Sequence, residues 1–173
     1  MRRRGFLAIV PAALSVSGCG YHVGGRADLL PKSIRTIAVP AFVNATPRYK
    51  LSERLTAAVA REFITRTRYR VIADPGQADA VLNGAVLSYV AYPTIFDPAT
   101  GRASGVQVLV VLSLNLQERA TGKALYSRPA MELRERYEVS VDQVAYFEES
   151  DTALERLSRD VARTVVSSIL EAF

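Results

Sequence analysis

The chain has one cysteine, one histidine, two methionines and no tryptophan. A single cysteine excludes an intrachain disulfide and a thiolate metal cluster. The only histidine, His22, follows the cysteine by three residues and precedes any patterned segment, so a serine–histidine pair inside a folded element is excluded. No Gly-x-Gly-x-x-Gly, Walker loop or His-Glu-x-x-His run is present, and the adjacent Glu148 and Glu149 read as helix-entry charges rather than an acid–base pair. The sequence therefore supplies no catalytic apparatus, no metal site and no cofactor motif. Binding and assembly lead over enzymatic chemistry.

The lone cysteine has a context. Arg2, Arg3 and Arg4 precede an apolar stretch over residues 6–14, too short to span a bilayer. Leu14-Ser15-Val16-Ser17-Gly18-Cys19 then reads as a bacterial lipobox, with small residues directly before the cysteine. Cleavage before Cys19 removes residues 1–18 as a signal peptide and leaves a thiol that takes a palmitate-type lipid. Several acyl chains on one residue hold a protein at a membrane, since each buried methylene contributes about 0.8 kcal/mol. Gly20, not Asp, follows Cys19, which favours the outer membrane over the inner one. Arg3-Arg4-Gly5-Phe6-Leu7 also resembles a twin-arginine core, so two export routes stay open.

Loss of the signal also changes the charge. The whole chain has 22 basic and 17 acidic residues, a net charge of +5. Three of the basic residues leave with the signal, so the mature balance is +2, and nucleic-acid binding gains no support. The charge is unevenly spread, with basic residues dominating 26–70 and acidic ones dominating 118–173.

Residues 19–33 are Gly-rich and polar and read as a lipidated tether. Residues 34–173 read as one α+β domain. Residues 34–40 have β-branched strand content, with Ile37, Val39 and Phe42 as core candidates. Leu51, Leu55, Val59 and Phe63 recur every four residues in a helix capped by Ser52. Extended runs follow over 69–73 and 80–92, and residues 93–105, with two prolines and two glycines, read as a loop. Residues 106–117 show the period-2 pattern of a half-buried strand. Val106, Val108, Val110, Leu112, Leu114 and Leu116 share one face, and Gln107, Ser113, Asn115 and Gln117 dominate the other. A turn at Ala120-Thr121-Gly122 leads to a strand over 124–139, where Pro129 marks an edge or bulge. A final helix starts near Ser150, with Leu154, Leu157, Val161, Val165 and Ile169 as its apolar stripe. The expected fold is a β-α-β-β-β-α two-layer sandwich: a mostly antiparallel four-stranded sheet with both helices on one face.

A strand–helix–strand unit returns the chain parallel to its start. Loops 40–50, 93–105 and 140–149 then gather at one end, bringing Arg48, Lys50 and Arg102 near Tyr92, Ile95, Phe96, Tyr146 and Phe147. Cations beside aromatics suit an amphiphile with anionic head groups. Arg66, Arg68, Arg70, Arg119 and Lys123 fall at the opposite end, beside the tether, and suit lipid head groups or an acidic partner.

Gly18-Cys19-Gly20-Tyr21-His22 resembles the start of the outer-membrane lipopolysaccharide-assembly lipoproteins, the LptE family. The β-α-β-β-β-α order, the passage from Phe96 to Val108 and the long last helix are similar too. The resemblance implies a plug inside the lumen of the β-barrel translocon LptD, help in assembling that barrel, and binding of lipopolysaccharide. It implies a lipopolysaccharide contact at Arg102, the one basic residue of its loop, with Phe96 beside it. Arg48 and Lys50 are further basic-loop candidates. Where the family has a second basic contact, near the last helix, this chain has Asp142, Glu148 and Glu149. Thr36-Ile37-Ala38-Val39-Pro40-Ala41-Phe42 with Asn44 also resembles lipoproteins that activate peptidoglycan synthases or form secretion channels. Three consecutive strands favour the first resemblance.

Overall fold

The computed structural model describes residues 30–138 and 143–173. The signal peptide, Cys19 and most of the tether lie outside the described residues. So do Asp142 and the side chains of Tyr137, Tyr146, Phe147, Glu148 and Glu149. The elements run β1 (Thr36–Ala38), β2 (Val43–Asn44), α1 (Tyr49–Arg66), β3 (Arg70–Ile72), a 3-10 turn (Pro75–Gln77), β4 (Ala80–Phe96), β5 (Ala103–Glu118), β6 (Ala124–Glu138) and α2 (Gln143–Leu170).

The core forms around β5. Val108, Val110, Leu112, Leu114 and Leu116 are buried on one face, as strict alternation requires. Leu51, Leu55, Val59 and Phe63 of α1, and Leu157, Val161, Val165 and Ile169 of α2, close over that face. Each such side chain, fully buried, contributes about 1.5–3 kcal/mol of apolar transfer. Ile37, Val39 and Phe42 join the same cluster. Both helices thus pack on one face of the sheet, which makes two layers.

The sheet itself differs from expectation. It has six strands and is mixed. The path is β3-β1-β4-β5-β6, and β2 also pairs with β4. The β4–β5 and β5–β6 pairings are antiparallel, whereas β1–β3, β1–β4 and β2–β4 are parallel. The two extra strands, β2 and β3, are only two and three residues long. Strands so short carry no readable alternation; hydrogen bonds to neighbours define them.

Three boundaries also shift. Helix α1 starts at Tyr49 after Arg48, with no side-chain cap, and the Ser52 hydroxyl instead donates back to the Tyr49 carbonyl inside the first turn. Helix α2 starts at Gln143, seven residues before Ser150. The expected loop over 93–105 shrinks to residues 97–102, because β4 runs through Pro93 to Phe96. Register breaks beside Pro93, and β4 has no neighbour opposite β5 there, so a residue without an N–H is tolerated.

Residues 30–33, assigned above to the tether, already touch the fold. Leu30 is 3% exposed, and its N–H donates to the Tyr69 hydroxyl. Asp79 staples the same end. Its carboxylate accepts from the N–H groups of Arg35 and Thr36, which together with the nearby Arg119 and Arg35 cations hold its pKa below the ordinary value. Arg119 in turn donates through Nε to the Ala78 carbonyl.

Gly84 sits where Phe42 crosses the sheet. A Cβ there would lie 2.7 Å from three atoms of the Phe42 ring. Overpacking of this kind costs about 1–3 kcal/mol. Gly84→Ala should lower the urea midpoint with an unchanged slope, and adding Phe42→Leu in the same chain should recover part of the loss.

Candidate functional site

The strands of this sheet differ in length, and the difference creates the site. The last partner of β4 on its β2 side is Val86, opposite Asn44. Beyond it, β4 continues for ten residues beside β5 alone. Past Val86, β4 therefore has no neighbour on that side among the described residues, and β4, β5 and β6 run on as three strands to the tip.

The tip is a pre-folded turn. The Asp97 N–H donates to the Arg102 carbonyl at 2.8 Å, and the Gly101 N–H donates to the Asp97 carbonyl at 2.8 Å. Gly101 has φ +67°, a left-handed geometry that glycine adopts without strain. Asp97 Oδ1 accepts from Ala99 N–H at 3.0 Å, Thr100 N–H at 2.7 Å and the Thr100 hydroxyl at 2.8 Å. The two Thr100 bonds lead in keeping the Asp97 carboxyl below its ordinary pKa, with Ala99 N–H adding to them. Phe96 precedes this turn and Arg102 closes it, so both candidates lie at the tip.

Arg48 and Lys50 lie elsewhere. The Arg48 guanidinium sits 5.4 Å from the centroid of the Tyr89 ring, a cation–π pair. Tyr89 is opposite Val110, hence on the helix-covered side. It is seven residues from Phe96 along β4, about 23 Å at strand rise. Lys50 is exposed at the start of α1. The two basic-loop candidates therefore belong to the helix side at mid-height, not to the tip.

The face of the sheet away from the helices has its own character. Register pairs share a face, so Gln107, Leu109, Val111, Ser113, Asn115 and Gln117 of β5 line it with Tyr92, Val90, Ser88, Ala85, Asn83 and Val81 of β4. Strand β4 contains no charged residue, and β5 contains only Glu118 at its end. Leu87, Val90, Tyr92, Ile95 and Phe96 are 41–57% exposed. Arg134 and Arg136 of β6 flank the patch opposite Leu109 and Gln107. Asn115 Oδ1, central on this face, is buried without a hydrogen-bond partner among the described residues. By contrast, exposed positions of α2 carry Glu155, Arg156, Arg159 and Arg163, the pattern of a solvated surface.

Sequence reasoning singled out Tyr92, Ile95 and Phe96 but missed Leu87 and Val90, which it read only as part of an extended run over 80–92. A register shift between Val86 and Ser88 rephases the strand and leaves them exposed. The signal available was the uncharged run over residues 80–96. Asp97 was missed as well; Asp97-Pro98 followed by Thr100-Gly101 is its turn signature.

Among the described residues, no group of three or more His, Cys, Asp or Glu side chains is placed to hold a metal ion. No helix among them is long and apolar enough to cross a membrane.

Residues 34–169 match the family model of LptE, lipopolysaccharide-assembly. The chain belongs to that family. Its function is therefore in lipopolysaccharide assembly, and the family is not one of enzymes. No curated protein sequence matches closely enough to count as a relative. The fold recurs in solved structures of low identity. The PelC dodecamer of Paraburkholderia phytofirmans is 18% identical with TM-score 0.52, covering 80% of this chain and 89% of that one. An uncharacterized lipoprotein B of Nitrosomonas europaea is 13% identical with TM-score 0.51, covering 82% and 84%. A protein of Xanthomonas campestris is 16% identical with TM-score 0.51, covering 82% and 89%. At these identities the likeness extends to the fold alone.

Asp97 gives the tip a pH signature. Its charged form is the bonded form and its pKa is lowered, so the turn holds above the ordinary carboxylate range. The turn opens only as pH falls through the lowered pKa. Asp97→Ala should remove amide-exchange protection at Ala99 and Thr100 at neutral pH while the unfolding midpoint stays unchanged.

Proposed function

We propose that this protein is anchored in the outer membrane through a lipid on Cys19, plugs the lumen of an LptD-type β-barrel, assists its assembly, and contacts lipopolysaccharide at its tip. The observation that carries the reading is the sheet face left uncovered by the chain's own helices, which has no charged residue along β4 and the open side of β5 and is bordered by the charged residues of β6. Such a surface on an otherwise charged domain marks a partner-facing side. Its polar members, Gln107, Ser113, Asn115 and Gln117, suit the polar interior of a barrel wall. The buried acceptor Asn115 Oδ1 is a natural place for a donor from that wall.

The tip supplies the amphiphile chemistry. Ile95 and Phe96 are exposed apolar groups, and Arg102 closes the Asp97 turn that follows them. An arginine pairs a phosphate through two parallel N–H donors. The acyl portion of a lipopolysaccharide fits the apolar stripe of β4, and its phosphates fit Arg102.

Two measurements test this. Tagged protein purified in gentle detergent should bring down a large outer-membrane β-barrel protein; recovery without one sinks the plug. Arg102→Ala should weaken lipopolysaccharide binding by about tenfold, as expected for a lost charge-assisted bond, while barrel recovery persists. Unchanged binding moves the contact away from Arg102.

A further inference from the structure

A carboxylate stands where the strand pattern calls for an apolar side chain. Register places Met131, Leu133 and Glu135 of β6 opposite Leu112, Val110 and Val108, so all three share the helix-covered side of the sheet. Met131 is half-buried and Leu133 buried, as that side requires. Glu135 is half-buried as well, and among the described residues it has no hydrogen bond or ion pair. Its neighbours on β5, Val106, Val108 and Val110, carry no charge. Across the seam, the described charge that acts on it from α2 is Asp160. Arg163 reaches Asp160 at 3.4 Å from an exposed position on the same helix. Arg134 and Arg136 lie on the opposite face of β6. Burial first, and the Asp160 charge second, push the Glu135 carboxyl above its ordinary pKa.

The seam between β6 and α2 is uneven along its length. Toward the tether end Tyr126 is buried, and its hydroxyl lies 2.5 Å from the Ser168 hydroxyl of α2. Leu133 carries the apolar contact further along the strand. As an edge strand, β6 is hydrogen-bonded to β5 alone. Beyond Leu133 its docking on the helix layer passes through Glu135, where two like charges oppose each other and one of them is half removed from water.

We propose that Glu135 and Asp160 form a proton-operated latch on this seam. Ionised, the two carboxylates hold the distal part of β6 off α2. With a proton on Glu135, its O–H donates to the Asp160 carboxylate and the seam closes. The latch is a property of the chain alone. That it bears on a partner rests on the reading of the open sheet face above, because the same stretch of β6 carries Arg134 and Arg136 along the border of that face. A carboxyl whose pKa is raised by folding stabilises the fold fully below the ordinary carboxylate value, and that contribution is lost as pH rises through the raised value. The seam is therefore tighter in mild acid than at neutral pH. Asp79 and Asp97 act in the opposite sense and in a different window, since their lowered values place the loss below the ordinary range.

The test uses the chain from residue 19 onward with Cys19→Ser, read without lipid or barrel. Every described core residue lies from Leu30 to Leu170, so removal of the signal leaves the core whole. The urea midpoint should rise as pH falls from about 7 to about 5, a range just above the ordinary carboxylate value. His22 titrates in that range too, but it is common to every chain compared and cancels in the differences. Glu135→Gln should raise the midpoint at neutral pH and flatten the rise. Asp160→Asn should shrink the rise without abolishing it, because burial is the larger cause. Glu132→Gln removes the same charge from the open face and should leave the rise intact. Amide-exchange protection at Leu133 and Glu135, corrected for intrinsic rates, should increase in mild acid more than protection at Tyr126. A rise of full size in Glu135→Gln, or a lowered midpoint for that variant at neutral pH, overturns the latch. An unchanged rise in Asp160→Asn, or protection that changes equally along the whole of β6, overturns it as well. Barrel recovery is measured separately, so failure of the plug and failure of the latch are distinguishable.

Discussion

The buried row of β5, Val108 to Leu116, is the constraint on which the other elements depend. It has a strand on each side and both helices above it. Because the side-chain period of a strand is two, a one-residue slip of β5 would turn all five buried side chains to the open face and expose the helix stripes. The antiparallel pairings to β4 and β6 are therefore locked by burial. The short parallel pairings of β1, β2 and β3 then fall into place around β4.

That lock leaves the opposite face free to differ. On a solvated strand the outward positions normally carry charge, yet β4 and the outward side of β5 have none before Glu118. The exposed edge strand β6 has Pro129 and alternating charges from Glu132 to Glu138, the devices that discourage edge pairing. The distal edge of β4 lacks charge but is broken by register shifts after Val86 and beside Pro93, which also limit strand addition. Both edges are thus protected by different means. On the proposed reading, the sheet face rather than an edge meets the partner.

Much of this was legible in residue patterns. The period-2 pattern over 106–117 and the two helix stripes named most of the core, and the strand–helix–strand rule put β1 and β4 parallel. The unread parts share a physical cause: they are set by partners distant in sequence. β2 and β3 exist only through hydrogen bonds to β4 and β1. The start of α1 lacks the side-chain cap that a sequence reader looks for, so Ser52 drew the boundary too late. At the tip, three hydrogen bonds to Asp97 Oδ1 compress an expected thirteen-residue loop into six residues, an outcome glycine and proline content does not reveal. Arg48 and Arg102, both on loops of the same end, are separated because β4 outruns β2. Loop grouping gives an end of the molecule but not a height along it.

The two ends of the sheet have opposite chemistry, and strand direction makes this unavoidable. Each helix runs from the tip end back to the tether end, so both C-termini, with their partial negative charge, collect beside Leu30. Cations are favoured there: Arg66 lies in the last turn of α1 and bonds α2 through Ser167. Past α1 the chain must also begin β3 and β4 at that end, where Asp79 ties down the N–H groups of Arg35 and Thr36. Among the described residues the helix C-termini lie away from residues 97–102, and the Asp97 carboxylate there is engaged by its own turn.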